Sequence, residues 1–174
     1  LKELLKKMKL SIKVVGKIEN MRAIKYIDDI VKSSDGIMIA RGDLGIEVPI
    51  RELAFWQKKI IDLCRINNKP VIVATQILRS MVENNRPSRA EATDVSNAVF
   101  DGTDALMLSE ETSIGKHPIK VVKEMVDIAC FSEDTDIMRR LEIEANNATE
   151  VLVDAAVKIV NNNKSLKIGA VVIF

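Results

Sequence analysis

Four short apolar runs, each followed by polar residues and then by a helical pattern, constrain the fold of this chain most strongly. The runs begin near residues 12, 36, 70 and 105, so they are about 24 to 35 residues apart. This spacing suits a strand, a crossover helix and the next parallel strand. Residues able to do chemistry follow the strands, whereas plain turns precede them, which is typical of the carboxyl ends of the strands in a β/α barrel. The pattern therefore predicts an α/β fold.

A doubly wound sheet is the alternative arrangement of such units. No glycine-rich phosphate loop follows the first strand, so the sequence favours the barrel. Four units make half of a (β/α)8 TIM barrel. Strands are predicted at 12–17, 36–40, 71–74 and 105–108, and helices at 1–10, 21–33, 49–67, 89–100 and from residue 118 onward. Loops are predicted at 41–48, which holds two glycines, and at 77–87, which is too polar for the core.

The charge balance excludes binding driven by a bulk electrostatic field. The 174 residues include 26 Lys and Arg against 25 Asp and Glu, so we expect a small-molecule ligand and neither nucleic acid nor a membrane surface. The sequence has neither a long apolar run nor a basic leader, which predicts an intracellular soluble protein. Cys64 and Cys130 lie on apolar helix stripes, and both are predicted to be core residues.

The texture of the sequence changes after residue 131. We predict a barrel portion at 1–131, a charge-rich linker at 132–148 and the beginning of a second α/β domain at 149–174. The chain opens inside an amphipathic pattern at Leu1 and stops inside a strand-like run at Phe174. Since intact proteins usually cover terminal strands, we expect this chain to be a piece of a longer polypeptide.

Charged residues at the ends of the first two strands are the main candidates for function. Lys17 and Glu19 are two apart and share a face of the first strand, and Asp43 follows the second strand. If these strands are parallel neighbours, an ammonium and two carboxylates meet at one rim, which suits a divalent cation and an anionic substrate. Thr75 follows the third strand. Arg41 is interpreted as a structural ion-pair partner rather than as a second substrate cation.

Several motifs in this order resemble the pyruvate kinase family: KIEN at 17–20, ARGDLG at 40–45, ATQ at 74–76, RPSRAEATDVSNAVFDGTDALMLSEET at 86–112 and GKHP at 115–118. The resemblance covers about residues 12–126. It implies that the chain holds the last four βα units of the catalytic barrel, followed by the start of the α/β C-terminal domain. The family's earlier barrel strands and lid domain would lie outside this chain.

The resemblance also implies roles for individual residues. Glu19 and Asp43 resemble the metal-binding pair, for Mg²⁺ or Mn²⁺, and Lys17 resembles the lysine that neutralises the transferred phosphoryl group. Thr75 resembles the threonine beside the enolate carbon during protonation. The backbone N–H groups of Gly42 and Asp43 resemble those that hold the substrate carboxylate.

The implied reaction is phosphoryl transfer from phosphoenolpyruvate to ADP, giving pyruvate and ATP in glycolysis. The family also uses K⁺, whose ligands would lie outside this chain. A cytoplasmic homotetramer is implied for the complete protein, with residues 79–86 in a region that contacts a neighbouring subunit.

Two alternatives remain open from the sequence. One is a metal-dependent aldolase or lyase that acts on pyruvate or its enolate, because that barrel group also sets acidic residues at neighbouring strand ends. The other is a non-catalytic assembly fragment that covers an exposed apolar seam by association. The isolated chain is expected to be inactive.

Overall fold

The computed structural model describes residues 1–135, 151–153 and 155–156. The chain divides into two compact units, Leu1–Arg140 and Leu141–Phe174. In the second unit, the described residues 151–153 and 155–156 are helical. Most of the predicted linker and of the predicted second domain lies outside the described residues. No helix in the described part of the chain has the length and apolar character needed to cross a bilayer.

A four-stranded parallel sheet forms the centre of the first unit. Its strands are β1 (Val15–Ile18), β2 (Gly36–Ala40), β3 (Val71–Ala74) and β4 (Ala105–Met107). They lie in the order β1-β2-β3-β4, and every pair of neighbours is parallel. The four predicted strands are therefore confirmed, and β2 and β3 have the predicted bounds.

One face of this sheet packs against helices. Ile18, Ile39 and Val73 are neighbours across the first three strands, and all three are fully buried. The adjacent row, which includes Lys17, Met38 and Ile72, faces the other way and is partly exposed. A sequential strand order with right-handed crossovers places every helix on the same face, as in a barrel, whereas a doubly wound sheet needs a reversal of order.

The described part of the first unit has eight α-helices. They are α1 (Lys2–Lys7), α2 (Met21–Lys25), α3 (Ile27–Ser33), α4 (Arg41–Glu47), α5 (Leu53–Ile66), α6 (Arg89–Phe100), α7 (Glu110–Ser113) and α8 (Pro118–Glu133), with short 3₁₀ turns at Ile50–Glu52 and Arg79–Val82. Helices α3, α5, α6 and α8 bury Val31, Ile61, Val95 and Val121 in one core with the strands.

Local capping fixes where several helices begin. The Asn20 side chain accepts a hydrogen bond of 2.9 Å from the Ala23 N–H and starts α2. Ser88 and Glu91 form a capping box at the start of α6, because each side chain bonds the other's backbone N–H. The predicted helix at 21–33 is divided at Tyr26, whose backbone leaves the helical region at φ −112° and ψ 26°.

Both predicted loops contain buried structure, which corrects the sequence interpretation. Segment 41–48 is largely helix α4, because Leu44 and Val48 turn inward and outweigh the low helix propensity of its two glycines. In segment 77–87, Ile77, Leu78 and Met81 are buried while the polar residues that follow are exposed. The segment is polar on average, and this average does not show that three of its apolar residues belong to the core.

The two cysteines have different environments. Cys64 is fully buried on α5, as predicted. Cys130 is exposed near the end of α8, so its prediction as a core residue is wrong. Several apolar neighbours on α8, including Val126 and Phe131, are also exposed. Helix α8 packs on the core through Val121, Met125 and Ile128, and Cys130 lies outside that face.

Candidate active site at the carboxyl ends of the strands

Lys17, Glu19 and Asp43 come together at the carboxyl ends of β1 and β2, as the sequence predicts. The Lys17 ammonium forms an ion pair with the Glu19 carboxylate, and its Nζ lies 3.2 Å from Asp43 Oδ2. Lys17 is at the third position of β1, Glu19 follows that strand immediately, and Asp43 lies in the first turn of α4. The parallel pairing of β1 and β2 brings these groups to one rim.

The two carboxylates stabilise the positive charge of Lys17. Hydrogen bonds to Glu19 and then to Asp43 raise the pKa of the Lys17 amine above its ordinary value, and the attraction of both carboxylates adds to this effect. All three side chains are between 39% and 58% exposed, so water screens their interactions. Lys17 is therefore charged throughout the physiological pH range and is accessible to a ligand.

The acidic pair suits a magnesium ion. Glu19 and Asp43 line a cleft of about 380 Å³ together with Asn20, Ile46 and Glu47. Mg²⁺ commonly takes only one or two protein carboxylates and completes its octahedron with water and substrate oxygens. No group of three or more His, Cys, Asp or Glu side chains within the described residues could hold a metal. A two-carboxylate site that relies on substrate oxygens is the type that these residues can form.

Thr75 and Gly42 meet beside this cluster. The Gly42 N–H donates a hydrogen bond of 2.7 Å to Thr75 Oγ1. Thr75 and Gln76 both have left-handed backbone conformations, with φ of 68° and 54°. Such conformations are unfavourable for residues other than glycine, especially β-branched ones, and they concentrate at functional sites. Gly42 directly precedes Asp43 in the chain. Its hydrogen bond therefore places the Thr75 hydroxyl next to the residue that carries one of the two carboxylates.

Arg41 occupies a structural position, which confirms its interpretation as an ion-pair partner. Its side chain is 9% exposed and pairs with Asp94, at 2.7 Å from Nη1 to Oδ2. The same nitrogen donates to Gln57 Oε1 at 3.3 Å, and Nη2 donates to the backbone carbonyls of Thr75 and Gln76. The sequence interpretation did not identify Asp94 or Gln57, because each is far from Arg41 along the chain.

The sequence of this chain is similar to those of known proteins. The family model described as "Pyruvate kinase, barrel domain" matches residues 1–122. The chain belongs to the pyruvate kinase family. Pyruvate kinase of Thermotoga maritima is 47% identical over 152 residues, which cover 87% of this chain. That of Kluyveromyces lactis is 44% identical over 95% of this chain, and that of Mycobacterium tuberculosis H37Rv is 54% identical over 70% of it.

The matched segment is only part of each related pyruvate kinase. This chain covers 33% of the Thermotoga protein, 34% of the Kluyveromyces protein and 26% of the Mycobacterium protein. It thus spans about a third or less of the curated relatives that it matches. Within the pyruvate kinase barrel domain, the four parallel strands and the rim that carries Lys17, Glu19 and Asp43 belong to the matched region.

Proposed function

We propose that this chain contributes the phosphoryl-transfer rim of a pyruvate kinase, which transfers the phosphoryl group of phosphoenolpyruvate to ADP. The observation that carries this proposal is the Lys17 ammonium held against both Glu19 and Asp43 at the ends of two parallel strands. Phosphoryl transfer depends on charge neutralisation and alignment more than on a covalent nucleophile. A cation beside two hard-oxygen ligands meets both needs.

Lys17 neutralises negative charge on the phosphoryl oxygens during transfer. The bond from phosphorus to the enolic oxygen of phosphoenolpyruvate breaks, and a bond forms to a terminal oxygen of ADP. Glu19 and Asp43 would hold Mg²⁺ or Mn²⁺, which when bound supplies Lewis-acid stabilisation of the oxygen anions. Glu19 and Asp43 line an exposed cleft, and the Lys17 side chain is 48% exposed, so an anionic substrate can approach it.

Thr75 and the backbone of α4 act on the carbon end of the substrate. The Thr75 hydroxyl lies beside the enolate carbon and assists its protonation, which yields pyruvate. The N–H groups of Gly42 and Asp43 hold the substrate carboxylate. Because the Gly42 N–H bonds Thr75 Oγ1 at 2.7 Å in this structure, the hydroxyl and the carboxylate must share this donor or exchange places on it.

The remaining parts of the proposal concern the complete protein. Its substrates are phosphoenolpyruvate and ADP, and its cations are Mg²⁺ or Mn²⁺ and K⁺, with the K⁺ ligands supplied from outside this chain. A cytoplasmic homotetramer is the proposed assembly. Residues 79–86 then contribute to a subunit contact, and the isolated chain does not phosphorylate ADP.

The decisive experiment replaces Lys17 by Met in the complete protein. A coupled assay with phosphoenolpyruvate and ADP is expected to show a loss of turnover of about 100-fold or more, because a preorganised charge in an active site contributes on this scale. Mn²⁺ affinity, measured by electron paramagnetic resonance, is expected to persist because both carboxylates remain.

Lys25 provides the matched control, since it is exposed and lies over the Tyr26 ring at 5.6 Å. Lys25→Met is expected to retain the wild-type turnover. Near-normal turnover in Lys17→Met would refute the role of Lys17. Cleavage of an aldol substrate by a wild-type protein that does not phosphorylate ADP would instead favour the aldolase alternative.

A further inference from the structure

We propose that Arg41 is a positioning residue: its guanidinium holds Thr75 and Gln76 in the backbone conformation that presents the Thr75 hydroxyl to the substrate. This inference rests on the proposed function for its catalytic consequence. Its structural part concerns the four partners of one buried side chain, and a measurement independent of activity can test it.

The backbone that Arg41 holds is unfavourable by itself. Thr75 has φ of 68° and Gln76 has φ of 54°, and two consecutive residues other than glycine seldom adopt the left-handed region. Such a conformation persists only when its surroundings determine it. Arg41 Nη2 lies 3.3 Å from each of the two carbonyl oxygens of these residues. One charged donor therefore bonds both carbonyls of the strained pair.

The guanidinium itself is fixed from its other side. Arg41 Nη1 lies 2.8 Å from Asp94 Oδ1 and 2.7 Å from Asp94 Oδ2, and it also donates to Gln57 Oε1 at 3.3 Å. Asp94 belongs to α6 and Gln57 to α5, so two helices of the core anchor the fork. A planar guanidinium can donate to the two helices through one nitrogen and to the two carbonyls through the other. A lysine ammonium cannot reproduce this arrangement of donors.

The anchored Arg41 is directly connected to the residues of the candidate active site. Arg41 is the first residue of α4, and the next residue, Gly42, donates its N–H to Thr75 Oγ1 at 2.7 Å. Arg41 thus bonds the carbonyl of Thr75 while its neighbour bonds the hydroxyl of Thr75. Loss of the guanidinium removes the first of these contacts and leaves the hydroxyl on a turn with no charged donor from Arg41.

The first test uses this chain alone. Arg41→Lys is expected to increase the rate of hydrogen exchange at the Gly42 amide at least tenfold, measured by NMR, because the Thr75 hydroxyl no longer stays in place. Arg51→Lys is the matched control, since Arg51 is 82% exposed and lies 3.9 Å from Glu52. Unchanged protection of the Gly42 amide in Arg41→Lys would overturn the proposal.

The second test uses the complete protein and separates positioning from general stability. Arg41→Lys is expected to slow the exchange of the pyruvate methyl protons with solvent at least tenfold, while Mn²⁺ affinity and the KM for ADP change less than twofold. Equal losses in Mn²⁺ affinity, proton exchange and nucleotide affinity would overturn the positioning role, because they indicate a general disruption of the fold.

The two proposals fail in distinguishable ways. A wild-type complete protein that does not phosphorylate ADP refutes the proposed function, whereas an active protein whose proton exchange is unaffected by Arg41→Lys refutes only the positioning role. Should Arg41→Lys not fold, Asp94→Asn gives the same tests. The amide still accepts one hydrogen bond from Arg41 but loses the charge pairing, so a smaller change in the same direction is expected, and no change would overturn the proposal.

Discussion

Lys17 and Arg41 are both cations near the carboxyl ends of the strands, but their surroundings give them different roles. Lys17 is 48% exposed and pairs directly with two carboxylates, so a ligand can reach it. Arg41 is buried and directs its donors to Asp94 and to backbone carbonyls. Local spacing predicts the cluster around Lys17, because strand periodicity alone aligns Lys17 with Glu19. No local pattern connects Arg41 to Asp94, which lies 53 residues away.

Burial predicts different reactivity for the two thiols. Cys64 is fully buried, and this burial, followed by the nearby charge of Asp104, raises the pKa of its thiol to about 12. Since the thiolate is the reactive form, Cys64 is expected to resist iodoacetamide at neutral pH. Cys130 is exposed and is expected to be alkylated readily. Mass spectrometry of peptides after a short alkylation measures both rates.

A Cys130→Ser variant is the control for this experiment. It is expected to remain unlabelled in the native state and to gain one label after unfolding in guanidinium. Rapid labelling of Cys64 in the folded variant would contradict the burial of α5 against the sheet.

Helix α4 contains two glycines with different surroundings, which allows a matched comparison. A Cβ added to Gly42 would lie 3.2 Å from Thr75 Oγ1, closer than ordinary van der Waals contact. Gly42→Ala is therefore expected to displace the Thr75 hydroxyl and to lower the turnover of the complete protein about tenfold or more, because small misplacements of catalytic groups cost rate on this scale. The measurement is the steady-state rate of ADP phosphorylation.

Gly45 is the control position in the same helix. Its added Cβ would meet Leu53 Cδ2 at 3.5 Å, an ordinary contact. Gly45→Ala is expected to keep turnover within twofold and to stabilise the fold by about 0.5–1 kcal/mol, because alanine loses less backbone entropy than glycine in a helix. Equal effects of the two substitutions on turnover would argue against a specific contact between Gly42 and Thr75.

Glu91 joins the start of α6 to the Arg79–Val82 turn. Burial alone would raise the pKa of the Glu91 carboxyl, but hydrogen bonds donated by Ser80 and Ser88 outweigh this effect and lower it. Glu91→Gln is expected to destabilise the first unit by about 1–2 kcal/mol at pH 7, the usual range for a lost cap or a charged hydrogen bond. Guanidinium unfolding followed by the fluorescence of Trp56, the single tryptophan, measures this difference.

The pH dependence of this effect has a definite sign. Because the folded-state pKa of Glu91 lies below its ordinary value of 4.5, its stabilisation is complete above pH 4.5 and is lost as the pH falls through the folded-state pKa. The difference between wild type and Glu91→Gln should therefore shrink in acid. Glu83→Gln, at an exposed ion pair with Lys116, is the control and should change stability by less than about 0.5 kcal/mol.

The ends of helices and strands could be predicted wherever the pattern of apolar residues agreed with a local turn or capping signal. Strands β2 and β3 and helix α6 have their predicted bounds, because buried runs and a capping box mark them. Helix α4 could not be predicted, since two glycines argue against a helix while the buried Leu44 and the distant Thr75 hydroxyl support one. The burial of Ile77, Leu78 and Met81 likewise depends on tertiary packing that an average polarity does not report.

At the scale of the whole molecule, sequential parallel strands and one-sided helices place all the candidate residues at one edge of the sheet. This arrangement follows from the spacing of the four apolar runs, so the sequence was sufficient to predict that Lys17, Glu19 and Asp43 converge. It was not sufficient to predict the fork from Arg41 to α5, α6 and the end of β3, because that network joins residues brought together only by folding.

The most direct test of the account is the position of a divalent cation. Crystals of this chain soaked in millimolar Mn²⁺ and measured at the manganese absorption edge should show an anomalous peak within coordination distance of one oxygen of Glu19 and one of Asp43. The Lys17 ammonium should lie beside this peak without contacting the metal. A peak bound by other carboxylates, with none between Glu19 and Asp43, would contradict the proposal that this rim is the metal and phosphoryl site.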